Sequence, residues 1–234
     1  MQNSFLDIQL SKNNLESFII RKEIYKAILD VFPSFNGRVL DSGCGSMPYK
    51  ELIVSNKKII EYVGLDIESG LSYEDVKADF LWDGVVMPFE NETFDFVFST
   101  EVLEHVPDPY IYLSEIRRVL KPGGVFFFTV PFLMSLHEVP HDYYRYTPFA
   151  LELIFKKAGF ESIEIKPMGG YNAALGQMIG LWVNMYLWGT KKKLMRPIVK
   201  PIISFLYAKD KAPIDFSKST MVVGLKGTIV KPLK

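Results

Sequence analysis

Short apolar stretches alternate with amphipathic stretches along most of the chain. Residues 15–32 place apolar side chains at helical spacing and predict a helix that covers one edge of the domain formed by the later segments. Thr147 and Pro148 predict the start of another helix, which Gly159 ends. The predicted strands are RVLDSG, EYVGLDI, VKADF, FDFVFST, VFFFTVPF, ESIEIKP and TMVVGLKGTIV; PYKELIVSN and PYIYLSEIRRVL predict further helices, and KPGG predicts a turn.

Strands that are apolar throughout and separated by helices indicate a parallel sheet buried on both faces. We therefore predict an α/β fold with a doubly wound, mostly parallel, seven-stranded sheet in a single domain over residues 1–234. Residues 1–36 are expected to form an N-terminal helical cap, and residues 168–217 to form a helical insertion before the last strand.

The bulk composition agrees with a folded domain of zero net charge. Hydrophobic residues make up 48% and charged residues 23% of the chain, so a full core is expected. Lys plus Arg and Asp plus Glu number 27 each, which argues against a nonspecific nucleic-acid binder. Cys44 is the single cysteine and the N-terminus lacks a secretory signal, so a cytoplasmic setting is expected.

The sequence VLDSGCGS lies between the first predicted strand and the following helix. Glycines at such a turn, here Gly43 and Gly45, let the backbone approach a ligand closely. Asp66 ends the second strand about twenty residues later, where a carboxylate can accept hydrogen bonds from both hydroxyls of a ribose. The glycines alone also fit an ordinary strand-to-helix turn, and Asp66 alone also fits a solvated acid at a strand end. The prediction of a nucleoside-containing cofactor therefore rests on the two features together.

An ordered series of segments resembles the class I, Rossmann-like methyltransferases that use S-adenosylmethionine. The segments are VLDSGCGS, VGLDIE, ADFLWDGVVMPFENETFDFVFSTEVLEHVPDP and LSEIRRVLKPGGVFFFTVP, which lie within residues 38–165. The resemblance implies an antiparallel last strand, S-adenosylmethionine as cofactor, and a small or lipid-linked acceptor as substrate. Met47 and Pro48 occupy the region where the family often has a third glycine.

The resemblance also assigns roles to single residues. Those expected to cradle the amino-acid part of the cofactor are Asp41, Gly43 and Gly45, and Asp66 would hold the ribose. Ala78 and Asp79 would border the adenine, while the pocket near the sulfonium would be lined by Ser99, Thr100 and Glu101. Two alternatives stay open, namely that Asp79 is a turn acid and that residues 99–101 only cap a helix entry.

The loop after the fifth strand, residues 131–147, gathers polar side chains at the ligand end of the predicted sheet. Similar HDYYRYT segments recur in the family, so the loop is expected to pack on the active site. His137 or His141 could take a proton from a hydroxyl acceptor, because histidine titrates near neutral pH. The residues expected to contact the substrate are His105, Asp142, Tyr143 and Arg145.

Structural roles stay open for the same side chains. His141, Asp142 and Arg145 could form a network that only fixes the loop, and His105 could bond to the backbone at a helix start. His137 and His141 are four residues apart, the spacing of two metal ligands on one helix face. Pro140 between them argues against a regular helix, and no metal site is predicted.

The insertion at residues 168–217 combines an uncharged, aromatic-rich stretch with a lysine cluster at residues 191–193. We interpret it first as a lid or a homodimer surface over the acceptor pocket. Peripheral contact of residues 168–207 with anionic lipid is the alternative, whereas Asn172, Gln177 and Asn184 argue against a membrane span. Gly176 and Gly180 would allow another helix to approach closely.

The sequence thus predicts a methyltransferase that aligns donor and acceptor for an in-line displacement. Two other functions stay open. A nicotinamide-dependent oxidoreductase would share the fold and the ribose acid, although the glycine spacing and the ADF and EVLEH segments disfavour it. A noncatalytic S-adenosylmethionine-binding subunit would keep the cofactor residues without turnover.

Overall fold

The computed structural model describes residues 5–68, 77–218 and 220–233. Its strands are β1 (Gly37–Ser42), β2 (Ile59–Ile67), β3 (Phe80–Trp82), β4 (Phe94–Thr100), β5 (Leu120–Pro131), β6 (Ser162–Met168) and β7 (Gly224–Val230). Its helices are α1 (Phe18–Val31), α2 (Lys50–Val54), α3 (Pro109–Val119), α4 (Pro148–Lys157), α5 (Tyr171–Leu181) and α6 (Gly189–Ala208). Short 3-10 turns lie at Phe32–Ser34 and Leu103–His105, and a π-helical turn at Trp182–Tyr186.

The strand order β3-β2-β1-β4-β5-β7-β6 confirms the predicted fold class. Strands β1 to β5 pair in parallel, whereas β7 pairs antiparallel with both β5 and β6. The order of the strands reverses where β1 lies beside β4, and in doubly wound sheets a crevice forms outside the carboxyl ends of the strands at this reversal. The loop that follows β1 and the loop that follows β4 therefore border one crevice.

The two faces of the sheet are covered by different helices. On one face, Phe96 and Phe98 of β4 pack with Phe35 and with buried residues of α1, α5 and α6. On the other face, Val97 of β4 and Phe128 of β5 pack with buried residues of α3 and α4. Successive strand residues point to opposite faces, so the unbroken apolar stretches of β4 and β5 fill both cores.

Three predicted element boundaries are wrong by a few residues. Of the predicted strand VKADF, Val76 lies outside the described residues and only Phe80 belongs to β3, because Asp79 turns its carboxylate to the β2 amide of Gly64 at 2.8 Å. The predicted KPGG turn lies inside β5, where Lys231 pairs with the backbone of residues 123–124. The last strand begins at Gly224 rather than at residue 220.

The insertion packs on the N-terminal part of the chain. Helix α5 lies against α1 and α6, and Nε2 of Gln177 donates to the carbonyl oxygen of Glu16 at 2.6 Å. A Cβ atom on Gly180 would lie 2.0 Å from the carbonyl oxygen of Leu15, so only glycine permits this approach. The close helix approach expected at Gly176 and Gly180 is therefore observed within the chain, between α5 and the segment that enters α1.

Two faces of the insertion expose apolar side chains at helical spacing. The first runs along α5 into the π-helical turn and consists of Tyr171, Leu175, Met178, Trp182 and Met185; the second runs along α6 and consists of Leu194, Ile198, Ile202 and Phe205. We call these two faces the apolar stripes. Trp188, between the two helices, is 84% exposed. Among the described residues, no helix is both long and apolar enough to cross a membrane.

Candidate active site

The turn after β1 is held open by left-handed backbone and pinned to β2. Gly43 and Gly45 take φ values of +77° and +49°, which favour glycine. The amide of Gly43 donates to the carbonyl oxygen of Leu65 at 2.8 Å, and the amide of Gly45 donates to Oδ2 of Asp66 at 2.9 Å. Met47, near the family's third glycine, itself has φ +50°. The turn keeps a glycine-type conformation there at the cost of some strain in a methionine.

Asp66 lies at the end of β2 with capacity for further hydrogen bonds. Oδ1 accepts from the amide of Ile67 at 2.8 Å and Oδ2 from the amide of Gly45, which leaves each oxygen a second lone pair. Partial burial is the main cause that raises the pKa of this carboxyl, and the two amide bonds lower it. A carboxylate fixed in this way can accept from a pair of ligand hydroxyls.

Asp41 and Asp79 are bound to β2. Asp41 is buried in β1, accepts a hydrogen bond from the hydroxyl of Tyr62, and has its pKa raised to about 7 by burial. The carboxylate of Asp79 accepts from the amide of Gly64, and Ala78 precedes it outside any strand. Tyr62 was not found from the sequence. Its position two residues before Gly64, which puts it on the same strand face, was the available signal.

Ser99 and Thr100 are the last two residues of β4, as the predicted strand FDFVFST has them. The Ser99 hydroxyl is buried and accepts from the hydroxyl of Tyr112 at 2.9 Å, which fixes α3 to the sheet. Glu101 follows with φ +54°, and its Oε1 accepts from Oγ1 of Thr129 at 2.8 Å. Burial raises the pKa of Glu101 to about 7. Of these three predicted residues, Glu101 is the one that lies beyond the strand end, with a left-handed backbone conformation and a titratable side chain.

The loop after β5 docks onto the turn after β4 through a set of backbone bonds. The amides of Tyr143 and Tyr144 donate to the carbonyl oxygen of Glu104 at 2.9 and 3.2 Å. The hydroxyl of Tyr144 donates to the carbonyl oxygen of Pro107 at 3.0 Å, and that of Tyr146 to the carbonyl oxygen of Leu103 at 3.2 Å. The HDYYRYT segment therefore packs closely on the EVLEHVPDP segment.

An ion pair braces the docked loop from within. Both terminal nitrogens of Arg145 donate to the carboxylate of Asp142, at 2.6 and 2.7 Å, and Asp142 also accepts from the amide of His137 at 3.0 Å. The Arg145 guanidinium holds the pKa of Asp142 down at about 2. The ring of His141 is exposed and lies 3.2 Å from the hydroxyl of Tyr143. The Asp142–Arg145 ion pair thus fixes the backbone of His137, whereas the ring of His141 takes no part in this network. Catalysis by His141 stays a prediction.

The same docking brings together three side chains from two loops. Nε2 of His105 lies 3.1 Å from Nε2 of His137, and these two atoms lie 3.8 and 4.0 Å from Oε1 of Glu104. Glu104 is fully buried, and burial raises the pKa of its carboxyl. We call these three residues the Glu-His-His cluster. Glu104 was not singled out from the sequence, because a glutamate in a 3-10 turn gives no local signal of burial.

The cluster borders the crevice that the glycine turn lines. Glu138, in the loop after β5, places Oε2 3.8 Å from Nε2 of His105. The charge of Glu138 also helps to raise the pKa of Asp66. One loop residue therefore lies close to His105 and also acts electrostatically on the β2 carboxylate. Donors, acceptors and open glycine backbone fit a nucleoside ligand with hydroxyls for Asp66 and an amino-acid part at the turn.

Comparisons with known proteins find similarity to methyltransferases. Residues 40–128 match the model of the Methyltransf_11 family, described as a methyltransferase domain. The chain is 40% identical over 103 residues to a sterol 24-C-methyltransferase of Gibberella zeae, an alignment that covers 38% of this chain and 26% of that relative. The chain thus spans about a quarter of the length of this relative.

Two further similarities extend over more of the chain. It is 29% identical over 163 residues to a ubiquinone biosynthesis O-methyltransferase of Cereibacter sphaeroides, which covers 56% of this chain and 63% of the relative. A crystal structure of a SAM dependent methyltransferase from Archaeoglobus fulgidus superposes with a TM-score of 0.57 at 18% identity, over 90% of this chain and 94% of the other. At this identity the superposition supports the fold.

Proposed function

We propose that this chain, which carries a class I, Rossmann-like methyltransferase domain whose family uses S-adenosylmethionine, transfers a methyl group to a small, apolar acceptor. One observation carries the proposal. The Gly43–Gly45 turn is hydrogen-bonded directly to Asp66 of the neighbouring strand, at the reversal of the strand order. This arrangement combines open backbone for the amino-acid part of the cofactor with an acceptor for its ribose hydroxyls.

The residues of the crevice would contribute alignment and exclusion of water. S-adenosylmethionine supplies a methyl group on a positively charged sulfur that needs no activation by the protein. Asp66 and the glycine turn would fix the nucleoside and amino-acid ends of the cofactor, and the loop after β5 would cover the acceptor side. Holding two reactants in line accounts for much of the acceleration in such displacements. When its two Nε2 atoms are free, the Glu-His-His cluster would receive the proton that an acceptor hydroxyl gives up.

The names of the relatives and the surface of the insertion both support an apolar acceptor. The two curated relatives described above are a sterol methyltransferase and a ubiquinone biosynthesis methyltransferase, which act on lipid-soluble molecules by their names. In this chain the apolar stripes place large exposed side chains on α5 and α6. An acceptor that resides in a membrane would reach an enzyme that rests on the same surface.

Transfer of labelled methyl groups tests the proposal. Purified chain and S-adenosylmethionine labelled in the methyl group are incubated with a lipid extract and, separately, with a water-soluble extract. We expect label to enter the lipid fraction, together with one S-adenosylhomocysteine per methyl transferred. Cofactor binding without label in either fraction would favour the noncatalytic subunit. Label only in the water-soluble fraction would keep the activity and reject the apolar acceptor.

The insertion is proposed to contact an anionic bilayer through the apolar stripes. Helix α6 carries Lys191, Lys192, Lys193, Arg196 and Lys200 and no acidic residue. Basic residues beside exposed aromatic and aliphatic side chains are typical of helices that lie in a lipid interface. The alternative is a homodimer that forms through the same stripes. Its formation should not depend on whether vesicles are present.

Vesicle sedimentation separates the two occupants of this surface. We expect the chain to sediment with vesicles that contain phosphatidylserine and to remain in solution with phosphatidylcholine alone, because each basic residue near an anionic surface contributes about 1 kcal/mol. Trp188→Ser together with Phe205→Ser should reduce binding at least fivefold. Leu153→Ser on α4, which is 54% exposed and lies outside the insertion, is the matched control. A dimer that remains in solution and binds neither kind of vesicle would contradict the proposal.

A further inference from the structure

The two imidazoles of the Glu-His-His cluster face each other with their unprotonated nitrogens. Nδ1 of His105 lies 2.7 Å from the carbonyl oxygen of His141, and a carbonyl only accepts, so this Nδ1 carries the proton. Nδ1 of His137 lies 3.2 Å from the carbonyl oxygen of Ser135 and 3.4 Å from Oδ2 of Asp142, which are acceptors too. Arg145 is 3.5 Å from the same Nδ1, but its nitrogens already donate to Asp142 and Ser135. In the neutral rings both Nε2 atoms therefore bear lone pairs, 3.1 Å apart.

The third member of the cluster, Glu104, is a buried carboxylate without a hydrogen-bond donor among the described residues. Glu104 is 0% exposed, and neither of its carboxylate oxygens has a hydrogen-bond partner among the described residues. Burying an unpaired acid is costly unless a cation or a proton accompanies it. The Nε2 atoms of His105 and His137 and Oε1 of Glu104 all lie within 4.8 Å of one another. Three electron-pair donors without a shared acceptor indicate that a cation belongs between them.

We propose that Glu104, His105 and His137 form a binding site for a divalent transition-metal ion, with Zn²⁺ as the preferred ion. The three ligand atoms are separated by 3.1, 3.8 and 4.0 Å. A point equidistant from them lies about 2.1 Å from each, within the range of about 2.0–2.2 Å for Zn²⁺ bound to imidazole nitrogen or carboxylate oxygen. Two imidazoles favour Zn²⁺ over Mg²⁺, which prefers oxygen ligands.

The surroundings of the cluster have the features of a metal site. Each histidine gives its other ring nitrogen to a backbone carbonyl or carboxylate, which fixes the ring and raises its basicity. Glu138 adds a second carboxylate 3.8 Å from His105, whereas the nearby cation, Arg145, is already paired with Asp142. The side chain of His137 is 28% exposed, so one side of the site stays accessible to a fourth ligand.

The site would add an electrophile at the acceptor side of the crevice. A hydroxyl bound to Zn²⁺ loses its proton at a much lower pH than it does in water. Val102 packs against Gly43 of the glycine turn and directly precedes the turn that carries Glu104 and His105, so the cluster lies beside the proposed cofactor site. An oxygen acceptor would thus be held and ionised in one place, and its proton would pass to water on the exposed side of His137. Metal binding itself goes beyond the proposed methyl transfer and can be measured without cofactor or acceptor.

Metal titration of the full chain, purified without a histidine tag and stripped with a chelator, tests the site. We expect one equivalent of Zn²⁺ to bind, as measured by calorimetry and by elemental analysis after dialysis. Co²⁺ should give the visible absorption of a low-symmetry nitrogen and oxygen site. Glu104→Gln and His137→Asn should each weaken Zn²⁺ binding at least tenfold, because each removes one of three ligands.

His141→Asn is the matched control, because it changes the same residue type in the same loop. The His141 ring lies outside the cluster, and the backbone carbonyl that orients His105 remains. This variant should bind Zn²⁺ like the parent chain. Thermal unfolding and S-adenosylmethionine affinity show that each variant is folded, and if Glu104→Gln is not, His137→Asn decides. Absence of Zn²⁺ binding, Zn²⁺ affinity unchanged in folded His137→Asn, or equal loss in His141→Asn would overturn the proposal, as would binding of Mg²⁺ but not Zn²⁺.

Discussion

Replacing Asp66 with alanine should weaken S-adenosylmethionine binding by roughly 5- to 150-fold, which corresponds to about 1–3 kcal/mol. Asp66 is the carboxylate that we assign to the ribose hydroxyls, and it also anchors the amide of Gly45. Its loss would leave ligand hydroxyls without an acceptor and loosen the glycine turn. Isothermal calorimetry on the parent chain and the variant gives the ratio of the dissociation constants directly.

Asp83→Ala provides a matched control for this substitution. Asp83 follows β3 as Asp66 ends β2, and its carboxylate likewise accepts from two backbone amides, those of Val85 and Val86. It has no bond to the glycine turn, so Asp83→Ala should leave the affinity unchanged. Asp66→Asn should lie between the parent and Asp66→Ala, since an amide keeps one acceptor oxygen. Equal affinities for Asp66→Ala and the parent chain would remove Asp66 from the cofactor site.

Gly43→Ala should reduce both cofactor affinity and stability more than any other single methyl addition in the turn. At φ +77° an alanine costs about 1–2 kcal/mol. The added Cβ would also lie 2.4 Å from a methyl carbon of Val102, which must move. Val102 directly precedes the Leu103–His105 turn, so the displacement would reach Glu104 and His105. We expect at least a tenfold loss of S-adenosylmethionine affinity and a clear drop in Tm.

Gly189→Ala separates backbone strain from crowding. Gly189 also has a positive φ, +53°, but a Cβ there would meet no atom within 4 Å. This variant should show only the strain cost in thermal unfolding and bind the cofactor like the parent. If Gly43→Ala and Gly189→Ala behave alike in both measurements, close packing of the glycine turn does not contribute to binding.

Most of the fold could be predicted because its central strands are buried on both faces. The continuous apolar stretches of β4 and β5 cannot form an amphipathic helix, and the glycine turn after β1 marks a strand end. Prediction was wrong at the edge of the sheet, where β3 has three residues. Its start depends on the bond between Asp79 and Gly64, which joins residues that local patterning treats separately.

The candidate site divides in the same way between local and distant relations. The Gly43–Gly45 turn and Asp66 belong to neighbouring strand ends, so their approach follows from parallel pairing. The contact between His105 and His137 depends on how the loop after β5 folds back. Hydrogen bonds from the hydroxyls of Tyr144 and Tyr146 to the turn after β4 hold the loop in that position. Sequence spacing instead suggested a pair of metal ligands formed by His137 and His141. In the structure the ring of His137 belongs to the Glu-His-His cluster, and the ring of His141 is exposed outside it.

Calorimetric titration of the purified chain with S-adenosylhomocysteine tests the central claim most directly, because this product is stable and needs no acceptor. A crevice formed by the glycine turn and Asp66 should bind one molecule per chain and bind S-adenosylmethionine in competition. Nicotinamide dinucleotides should give no heat. No binding of either sulfur nucleoside, or binding of a nicotinamide dinucleotide in their place, would contradict the account.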